Sequence, residues 1–337
     1  DHRLLTFLAA AGVLGLCTFA YWPGLYGPWL FDDIPNLGAV QQWVAGATGW
    51  RTVVLENLAG RLGRPISMAT FLIDGSIWGM DPFGFKLGNL LLHLVTGIAI
   101  FFLVKRIAER GAHSARHSAL FAAVISTIWL IHPIQAGTVL YVIQRMAMLS
   151  TLFIVLTMLA YMIGRTQLEA GHARRGAILL FFSVPLLTLL GACSKEIGLL
   201  APLLCGVVEW AWFRPAGGAS RPRAVRVFLF WIVAAPVFAG LLLLLIQPEL
   251  FLADYGNRRF DLIERILTQS RVLFDYIGRL LWPSRFSMFR DDYTISTSLV
   301  SPPITVFALL GWMGLVTAAI RLRGRLPLFS GGIAIFL

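Results

Sequence analysis

The sequence predicts an all-α protein that crosses the membrane many times, and three observations support this prediction. Apolar residues make up 58% of the 337 residues and charged residues only 13%, about half the charge of an ordinary soluble domain. The mean hydropathy is +0.76. The apolar residues come in runs of roughly 17 to 25, which suits a membrane-spanning helix and is too long for a barrel strand.

The apolar runs predict a bundle of about nine or more transmembrane helices in a single domain covering residues 1–337. The first run is similar to a signal peptide, but the later runs favour a retained first helix. The chain starts without Met and is still apolar at Leu337, so we expect a portion of a longer protein, to which a C-terminal domain can be attached. The expected spans are 4–21, 86–104, 118–131, 146–163, 177–193, 197–213, 227–246, 302–320 and one beginning at 327.

Basic residues collect in one set of short loops, which hold fifteen of the 28 Lys and Arg residues but only four of the 17 acids. The positive-inside rule assigns these loops and the N-terminus to the cytoplasm. The net charge of +11 then follows from topology and contact with anionic lipids, and no nucleic-acid partner is predicted. The residues are Arg3, Lys105, Arg106, Arg110, Arg116, Arg165, Arg174, Arg175, Arg214, Arg221, Arg223, Arg226, Arg321, Arg323 and Arg325.

Two long segments, 22–85 and 247–301, fall on the opposite, outer face, which is the periplasm in a Gram-negative cell or the lumen in a eukaryote. We expect a bacterial inner membrane with the site on the periplasmic side. Segment 22–85 contains amphipathic stretches at 40–54 and 66–78 with three Trp residues, and Trp favours the headgroup region. Segment 260–282 has one broad apolar face opposite Arg265, Arg271 and Asp275. We expect these stretches to be helices lying on the outer membrane surface.

The first acids after Asp1 are adjacent, Asp32 and Asp33, just beyond the first apolar run. An Asp pair at a membrane surface can ligate a metal, act as a general base or cap a helix. The cations predicted on the same face favour a metal-free site. A divalent metal nevertheless stays compatible with the pair, and no other cofactor is predicted.

Further costly polar residues converge on the outer face. Gln144 and Arg145 interrupt an apolar stretch over 134–163 that is too long for one span, so Arg145 is expected at the outer interface, where its guanidinium suits a phosphate or any lipid headgroup. Lys195 and Glu196 occupy a tight turn and form either a site or a structural ion pair. The remaining outer-face candidates are His132, Arg64 and Tyr141. His93, one turn after Asn89, is either part of the site or a hydrogen-bonding link between helices.

Several classes of chemistry lack support in the sequence. There is no P-loop, GxSxG or HExxH motif and no dinucleotide-binding glycine pattern, so neither nucleotide-driven nor Ser-hydrolase chemistry is predicted. Cys17, Cys193 and Cys205 lie in apolar runs without CxxC spacing, which is typical of small buried apolar residues. Carboxylates beside several cations instead fit a base that activates an acceptor while cations hold a phosphate leaving group.

The order and spacing of six short motifs resemble those of bacterial GT-C glycosyltransferases, in particular the branch related to the eukaryotic TMTC O-mannosyltransferases. The resemblance covers about residues 20–215. Two features depart from it: Met146, Ala147 and Met148 follow Arg145 where the eukaryotic members have an acid, and these 337 residues include no tetratricopeptide repeats. The motifs are Phe31-Asp32-Asp33, Gly63-Arg64-Pro65-Ile66-Ser67, Trp78 to His93, His132-Pro133-Ile134-Gln135, Tyr141 to Met146, and Ser194-Lys195-Glu196-Ile197-Gly198.

The resemblance implies a GT-C-like helical bundle, a polyprenyl-phosphate-linked sugar donor and inverting transfer to a hydroxyl of a protein, glycan or lipid on the outer face. It implies a catalytic Asp at Asp32 or Asp33. The leading hypothesis takes Asp33 as the base that deprotonates the acceptor hydroxyl, with Asp32 as the alternative base. The phosphate-binding role falls on Arg145 and Lys195, with His132, Arg64 and Glu196 as further candidates. Gln144, Tyr141 and His93 are supporting candidates.

Two other functions stay open from the sequence. A transporter or flippase for a lipid-linked saccharide would use the same cations, but it predicts a polar path through the membrane, and the spans are almost purely apolar. A scaffolding membrane subunit is the other function, but it would not account for the costly cluster of charged residues on the outer face.

Overall fold

The computed structural model describes residues 2–57, 59–60, 63–111, 114–213, 220–252, 255, 258–283 and 293–337. Arg214, one of the fifteen basic residues of the predicted cytoplasmic loops, lies outside the described residues. Parts of the predicted outer segment 247–301 lie outside them as well.

The chain is helical over 79% of its residues and has no strand in its described part. Short 3-10 turns cover Pro133–Gln135, Val142–Gln144 and Glu196–Leu200, and π-helical turns cover Leu179–Ser183 and Leu229–Ala234. The helices are α1 (His2–Leu25), α2 (Asp33–Asn36), α3 (Gly38–Val44), α4 (Trp50–Val54), α5 (Pro65–Trp78), α6 (Pro82–Arg110), α7 (Ala115–Ile131), α8 (Ala136–Val139), α9 (Arg145–Glu169), α10 (Ala173–Ile178), α11 (Val184–Ala192), α12 (Ala201–Trp212), α13 (Arg223–Phe228), α14 (Ala235–Ile246), α15 (Glu249–Leu252), α16 (Leu262–Leu281), α17 (Ile304–Leu322) and α18 (Pro327–Phe336).

The all-helical class is confirmed, whereas the nine or more transmembrane helices are not. Among the described residues, five segments are long and apolar enough to cross a membrane, and a sixth is gained if α7 and the bent segment Pro133–Val139 count as one span. Two of the missing spans have a structural reason. The predicted span 197–213 begins as a 3-10 turn, which leaves a 12-residue α12, and α18 has only 10 residues.

The chain divides into two compact units, residues 1–205 and 206–337. In the first unit, α6 is the central helix and packs against α1, α5, α7 and α9. One buried apolar cluster joins the segments near its N-terminal end and includes Phe71, Phe85 and Met146. A second cluster includes Cys17, Leu90 and Leu130 and joins α1, α6 and α7. The first turns of α6 therefore lie where most of the other segments meet.

In the second unit, α16 packs against α17. The indole Nε1 of Trp312 donates to the carbonyl of Ser270 at 2.8 Å, and the Trp312 ring lies 4.6 Å from that of Phe274. Asp261 and Glu264 form a reciprocal capping box that starts α16, because each satisfies a backbone N–H that has no partner in the first turn. The amphipathic pattern predicted a helix here, but its position on the membrane surface stays a prediction.

The chain breaks between α7 and α9, where the sequence predicted an interruption. After α7 it bends by 48° at His132-Pro133. Tyr141 then has an extended backbone, and α9 starts at Arg145. Pro133 favours this break because proline lacks the N–H that would continue the preceding helix. As a result, residues 132–144 form a folded connection between two spans.

Helix α11 packs very closely against the 3-10 turn that follows it. A Cβ atom built on Gly198 would fall onto the backbone of Gly191 and Ala192. Only glycine permits this approach, which brings the Ser194-Lys195-Glu196 turn against the rest of the unit.

Replacing Gly198 with Ala is expected to lower the free energy of unfolding by about 1 to 3 kcal/mol, because backbone atoms cannot yield as a side chain would. Thermal unfolding of the purified protein in detergent measures this change. Gly15→Ala in α1 is the matched control, since its added methyl has no atom within 4 Å. An equal loss of stability in both variants would contradict the close-packing argument.

Candidate functional site

The carboxylate of Asp33 is fully buried and accepts two backbone hydrogen bonds from different segments. The N–H of Leu30 donates to Oδ2 and the N–H of Ile143 donates to Oδ1, both at 2.8 Å. Asp33 therefore joins the loop after α1 to the turn that precedes α9, positions 110 residues apart in sequence.

A buried lysine supports the same loop. Lys86, which is 1% exposed, donates from Nζ to the carbonyls of Gly27 and Pro28 at 2.8 Å each. Burial raises the pKa of Asp33, while backbone hydrogen bonds and the positive charge of Lys86 act to lower it. The environment of Asp33 is thus that of an anchored carboxylate.

Asp32, in contrast, is exposed. Its backbone N–H donates to the hydroxyl of Tyr141 at 3.2 Å, and the Tyr141 ring lies against Phe31. Burial raises the pKa of Tyr141, and the negative charges of Asp32 and Asp33 raise it further. The two adjacent carboxylates therefore occupy different environments: one is enclosed by backbone N–H groups and the other faces outward.

Arg145 lies in the interior and is only 3% exposed. Its Nη1 forms an ion pair with Asp74, its Nε donates to Asn89 Oδ1 at 2.7 Å, and its Nη2 donates to the carbonyl of Phe85. The guanidinium also stacks 4.8 Å from the centroid of the Phe71 ring. This arrangement commits the donors of Arg145 to α5 and α6, so the structure does not present them to a phosphate.

Asn89 completes this buried network. Its amide nitrogen lies 3.1 to 3.3 Å from the carbonyl oxygens of Val139, Tyr141 and Val142. These carbonyls belong to the irregular segment before α9, where the backbone forms only short turns: the carbonyl of Tyr141 accepts the N–H of Gln144, and that of Val142 accepts the N–H of Arg145. Asn89 therefore holds the backbone on either side of the Tyr141 hydroxyl that contacts Asp32.

A second charged group lies beside the start of α9. Arg64 makes two hydrogen bonds to the carboxylate of Glu196: Nε donates to Oε1 at 3.3 Å and Nη2 donates to Oε2 at 2.9 Å. Its Nη1 lies 3.2 Å from the sulfur of Met146. Arg64 is the N-cap of α5 and has φ of +47°, a left-handed conformation that non-glycine residues seldom adopt.

Lys195 is half-buried next to this ion pair, and its Nζ has no ion-pair partner within the described residues. Burial and the charge of Arg64 lower the pKa of Lys195, whereas the charge of Glu196 raises it. Burial alone would raise the pKa of Glu196, but hydrogen bonds and the charges of Arg64 and Lys195 lower it below its ordinary value. The turn is held in place because Ser67 Oγ donates to the carbonyl of Ser194 at 2.9 Å.

The Asp pair and the Arg64–Glu196–Lys195 group belong to the same end of α9. Ile143 binds Asp33, and Met146, three residues further on, contacts Arg64. Residues three apart lie within a single helical turn. The folded chain therefore brings together segments that are distant in sequence, with contacts between residues 110 and 132 positions apart.

The remaining predicted residues have structural contacts. His132 caps the 3-10 turn that follows it, since its Nδ1 accepts the N–H of Ile134 at 3.2 Å. The N–H of Gln144 donates to the carbonyl of Tyr141 at 3.1 Å. His93 contacts the carbonyl of Leu130 at 2.9 Å and stacks on Trp129. These contacts join α6 to α7, which corresponds to the predicted alternative of a hydrogen-bonding link between helices.

The described residues contain no group of three or more His, Cys, Asp or Glu side chains that could hold a metal ion. Two polar residues important to the arrangement, Lys86 and Asp74, received no role from the sequence, and Asn89 was noted only as the partner of His93 in a polar stripe. An ionisable residue in or beside an apolar span is costly without a partner, and this signal could have marked Lys86 and Asp74.

These features define a class: a multi-pass helical membrane protein with an exposed carboxylate and a half-buried cation gathered at one end of a tightly linked helical unit. Comparisons with known proteins agree with that class. The chain is 26% identical over 213 residues to human Protein O-mannosyl-transferase TMTC1, covering 60% of this chain and 23% of the relative. It is 27% identical over 227 residues to Drosophila melanogaster Protein O-mannosyl-transferase Tmtc3, covering 61% and 23%.

A third relative, human Protein O-mannosyl-transferase TMTC3, is 25% identical over 157 residues, which is 44% of this chain and 16% of the relative. No protein-family model and no solved structure matches the chain. The matches support a relationship to TMTC-type GT-C proteins at low identity. The chain spans less than a quarter of the length of these relatives.

Replacing Arg145 with Gln is expected to lower the free energy of unfolding by about 3 to 5 kcal/mol, because it leaves the carboxylate of Asp74 buried without its cation. Thermal and denaturant unfolding in detergent measure the loss. Adding Asp74→Asn should recover part of it.

Arg64→Gln is the control for this prediction. The side chains of Arg64 and Glu196 are 21% and 34% exposed, so loss of their ion pair is expected to cost about 1 kcal/mol or less. If Arg145→Gln proved no more destabilising than Arg64→Gln, Arg145 would not be the buried anchor described above.

Proposed function

We propose that this chain is the membrane domain of a glycosyltransferase that moves a sugar from a polyprenyl-phosphate donor to a hydroxyl acceptor at the outer membrane face. The observation that carries the proposal is the exposed carboxylate of Asp32, fixed by its neighbours at the same end of α9 as the cation Lys195. The relatives are named protein O-mannosyl-transferases, which supports mannose as the sugar and a protein hydroxyl as the acceptor.

Asp32 is the proposed general base and Asp33 its positioning residue. Asp32 takes the proton of the acceptor hydroxyl as its oxygen bonds to the anomeric carbon of the sugar. The bond from that carbon to the phosphate oxygen breaks, and attack from the opposite side inverts the configuration. This assignment divides the pair by environment, because a base must be able to contact its substrate and Asp33 is enclosed by its two backbone donors.

Lys195 and Arg64 are the proposed cations for the departing polyprenyl phosphate. Negative charge collects on that phosphate in the transition state, so fixed cations there lower the barrier. Glu196 holds Arg64 in place through the ion pair. Arg145 takes a supporting role, since it fixes α5, α6 and α9 around the site.

The direct test incubates the purified protein in detergent with a polyprenyl-phosphate mannose labelled in the sugar and with Ser- and Thr-containing peptides. Labelled peptide is the expected product, with the anomeric configuration inverted relative to the donor. Failure to label any hydroxyl acceptor from a panel of peptides and glycans, by protein shown to be folded, would contradict the proposal.

Replacing Asp32 with Asn is expected to reduce transfer by about 10² to 10⁴, the usual contribution of a general base, and to leave thermal stability unchanged because the residue is exposed. Asp33→Asn is expected to lower stability, because the amide nitrogen would face a backbone N–H. Transfer rate and thermal unfolding are measured for both variants. Full transfer by Asp32→Asn, with loss of transfer but not of stability in Asp33→Asn, would assign the base to Asp33 instead.

The lowered pKa of Lys195 predicts a pH dependence. The ammonium that binds phosphate loses its proton as pH rises through this pKa. We therefore expect the KM for the donor to begin rising at a lower pH than it would with a lysine of ordinary pKa. Lys195→Arg should abolish that rise because arginine stays charged. Glu196→Gln removes the charge that raises the pKa, so the rise should begin at lower pH. An unchanged alkaline profile in Lys195→Arg would exclude Lys195 as the titrating group.

A further inference from the structure

A groove between α9 and the α10 segment lies far from the site described above. It is an open groove of about 310 Å³, lined by Ile163, Gln167, Arg175, Ile178 and Leu179. Gln167 is 22 residues beyond Arg145 on α9, which corresponds to about 33 Å along a helix. That distance is close to the thickness of the hydrocarbon core of a bilayer. The groove and the proposed catalytic site therefore lie near opposite ends of one membrane-spanning helix.

The shape of the groove follows from a close helix crossing. Gly164 and Gly176 let the two segments approach, since a Cβ on Gly164 would meet Leu179 and Leu180, and one on Gly176 would meet Leu168. Just beyond the crossing, the segment passes into the π-helical turn Leu179–Ser183. The walls of the groove are apolar side chains, while Gln167 and Arg175 are its polar members.

The charges around the groove are unbalanced. Glu169 is an acid of the same helix end, and it already pairs with Arg110 at 2.6 Å and with Arg165 at 3.3 Å. Arg175 has no ion-pair partner within the described residues. An apolar groove with an exposed arginine among its lining residues matches a molecule with a hydrocarbon chain and an anionic headgroup.

We propose that this groove is a binding site for one anionic phospholipid of the surrounding membrane. Arg175 binds the headgroup phosphate, Gln167 lies beside it as a polar neighbour, and one acyl chain lies along Ile163, Ile178 and Leu179. Basic pockets between transmembrane helices bind anionic lipid headgroups by the same combination of charge and apolar contact.

The experiment measures lipid retention by native mass spectrometry of the purified full chain, with phosphatidylglycerol and phosphatidylcholine as separate probes. We expect one phosphatidylglycerol to be retained in preference to phosphatidylcholine. Arg175→Gln should reduce that retention about fivefold, which corresponds to about 1 kcal/mol for one basic residue at a membrane surface. Arg174→Gln is the matched control, because it removes the same charge from the adjacent exposed residue, which does not line the groove.

Ile178→Trp tests the apolar part of the site. It fills the groove without changing any charge and should also lower phosphatidylglycerol retention. Equal losses in Arg174→Gln and Arg175→Gln would overturn the proposal, since they would indicate diffuse attraction to a basic surface. Unchanged retention in Ile178→Trp, or equal retention of the two lipids by the unmodified protein, would overturn it as well. None of these readouts depends on sugar transfer.

Discussion

The hydrogen bond between Arg145 and Asn89 is the interaction on which the rest of the first unit depends. Where the chain leaves α7 and has not yet entered α9, it forms only short turns, and an apolar environment offers no water to complete the hydrogen bonding of its carbonyls. Asn89 supplies a donor to three of these carbonyls and accepts from Arg145. Arg145 in turn needs Asp74 to balance its charge. A break in one helix is thus stabilised by polar residues of two others.

This buried network and the exposed charges have complementary roles. The backbone is held by four interior residues, Asn89, Arg145, Asp74 and Lys86. Asp33 links this part of the chain to the loop after α1 through its two backbone hydrogen bonds. Because these groups bind one another or the backbone, little of their hydrogen-bonding capacity is directed outward. Asp32 and Lys195 are left with side chains that face outward or only half inward. A preorganised polar site requires a rigid interior and charged side chains that stay accessible at the surface.

The sequence predicted the helical class, the interruption before Arg145 and the convergence of distant polar residues, because hydropathy and the cost of burying charge are local properties of the chain. It could not predict which cation is enclosed. Arg145 and Lys195 have the same sign and similar apolar surroundings in sequence, and only the positions of Asp74 and Asn89 separate them. The number of spans could not be predicted from the sequence either, because a 3-10 turn at its start shortens α12 without changing the hydropathy of the segment.

Asp33 is bound through the main chain of Leu30 and Ile143, and their side chains take no part in those hydrogen bonds. Every residue except proline offers the same N–H at these positions. The requirement for this contact therefore falls on the aspartate, because the two hydrogen bonds themselves set no condition on the side chains of Leu30 and Ile143. Distant versions of such a protein can then preserve the architecture around the carboxylates while sharing few residues in the segments that surround them.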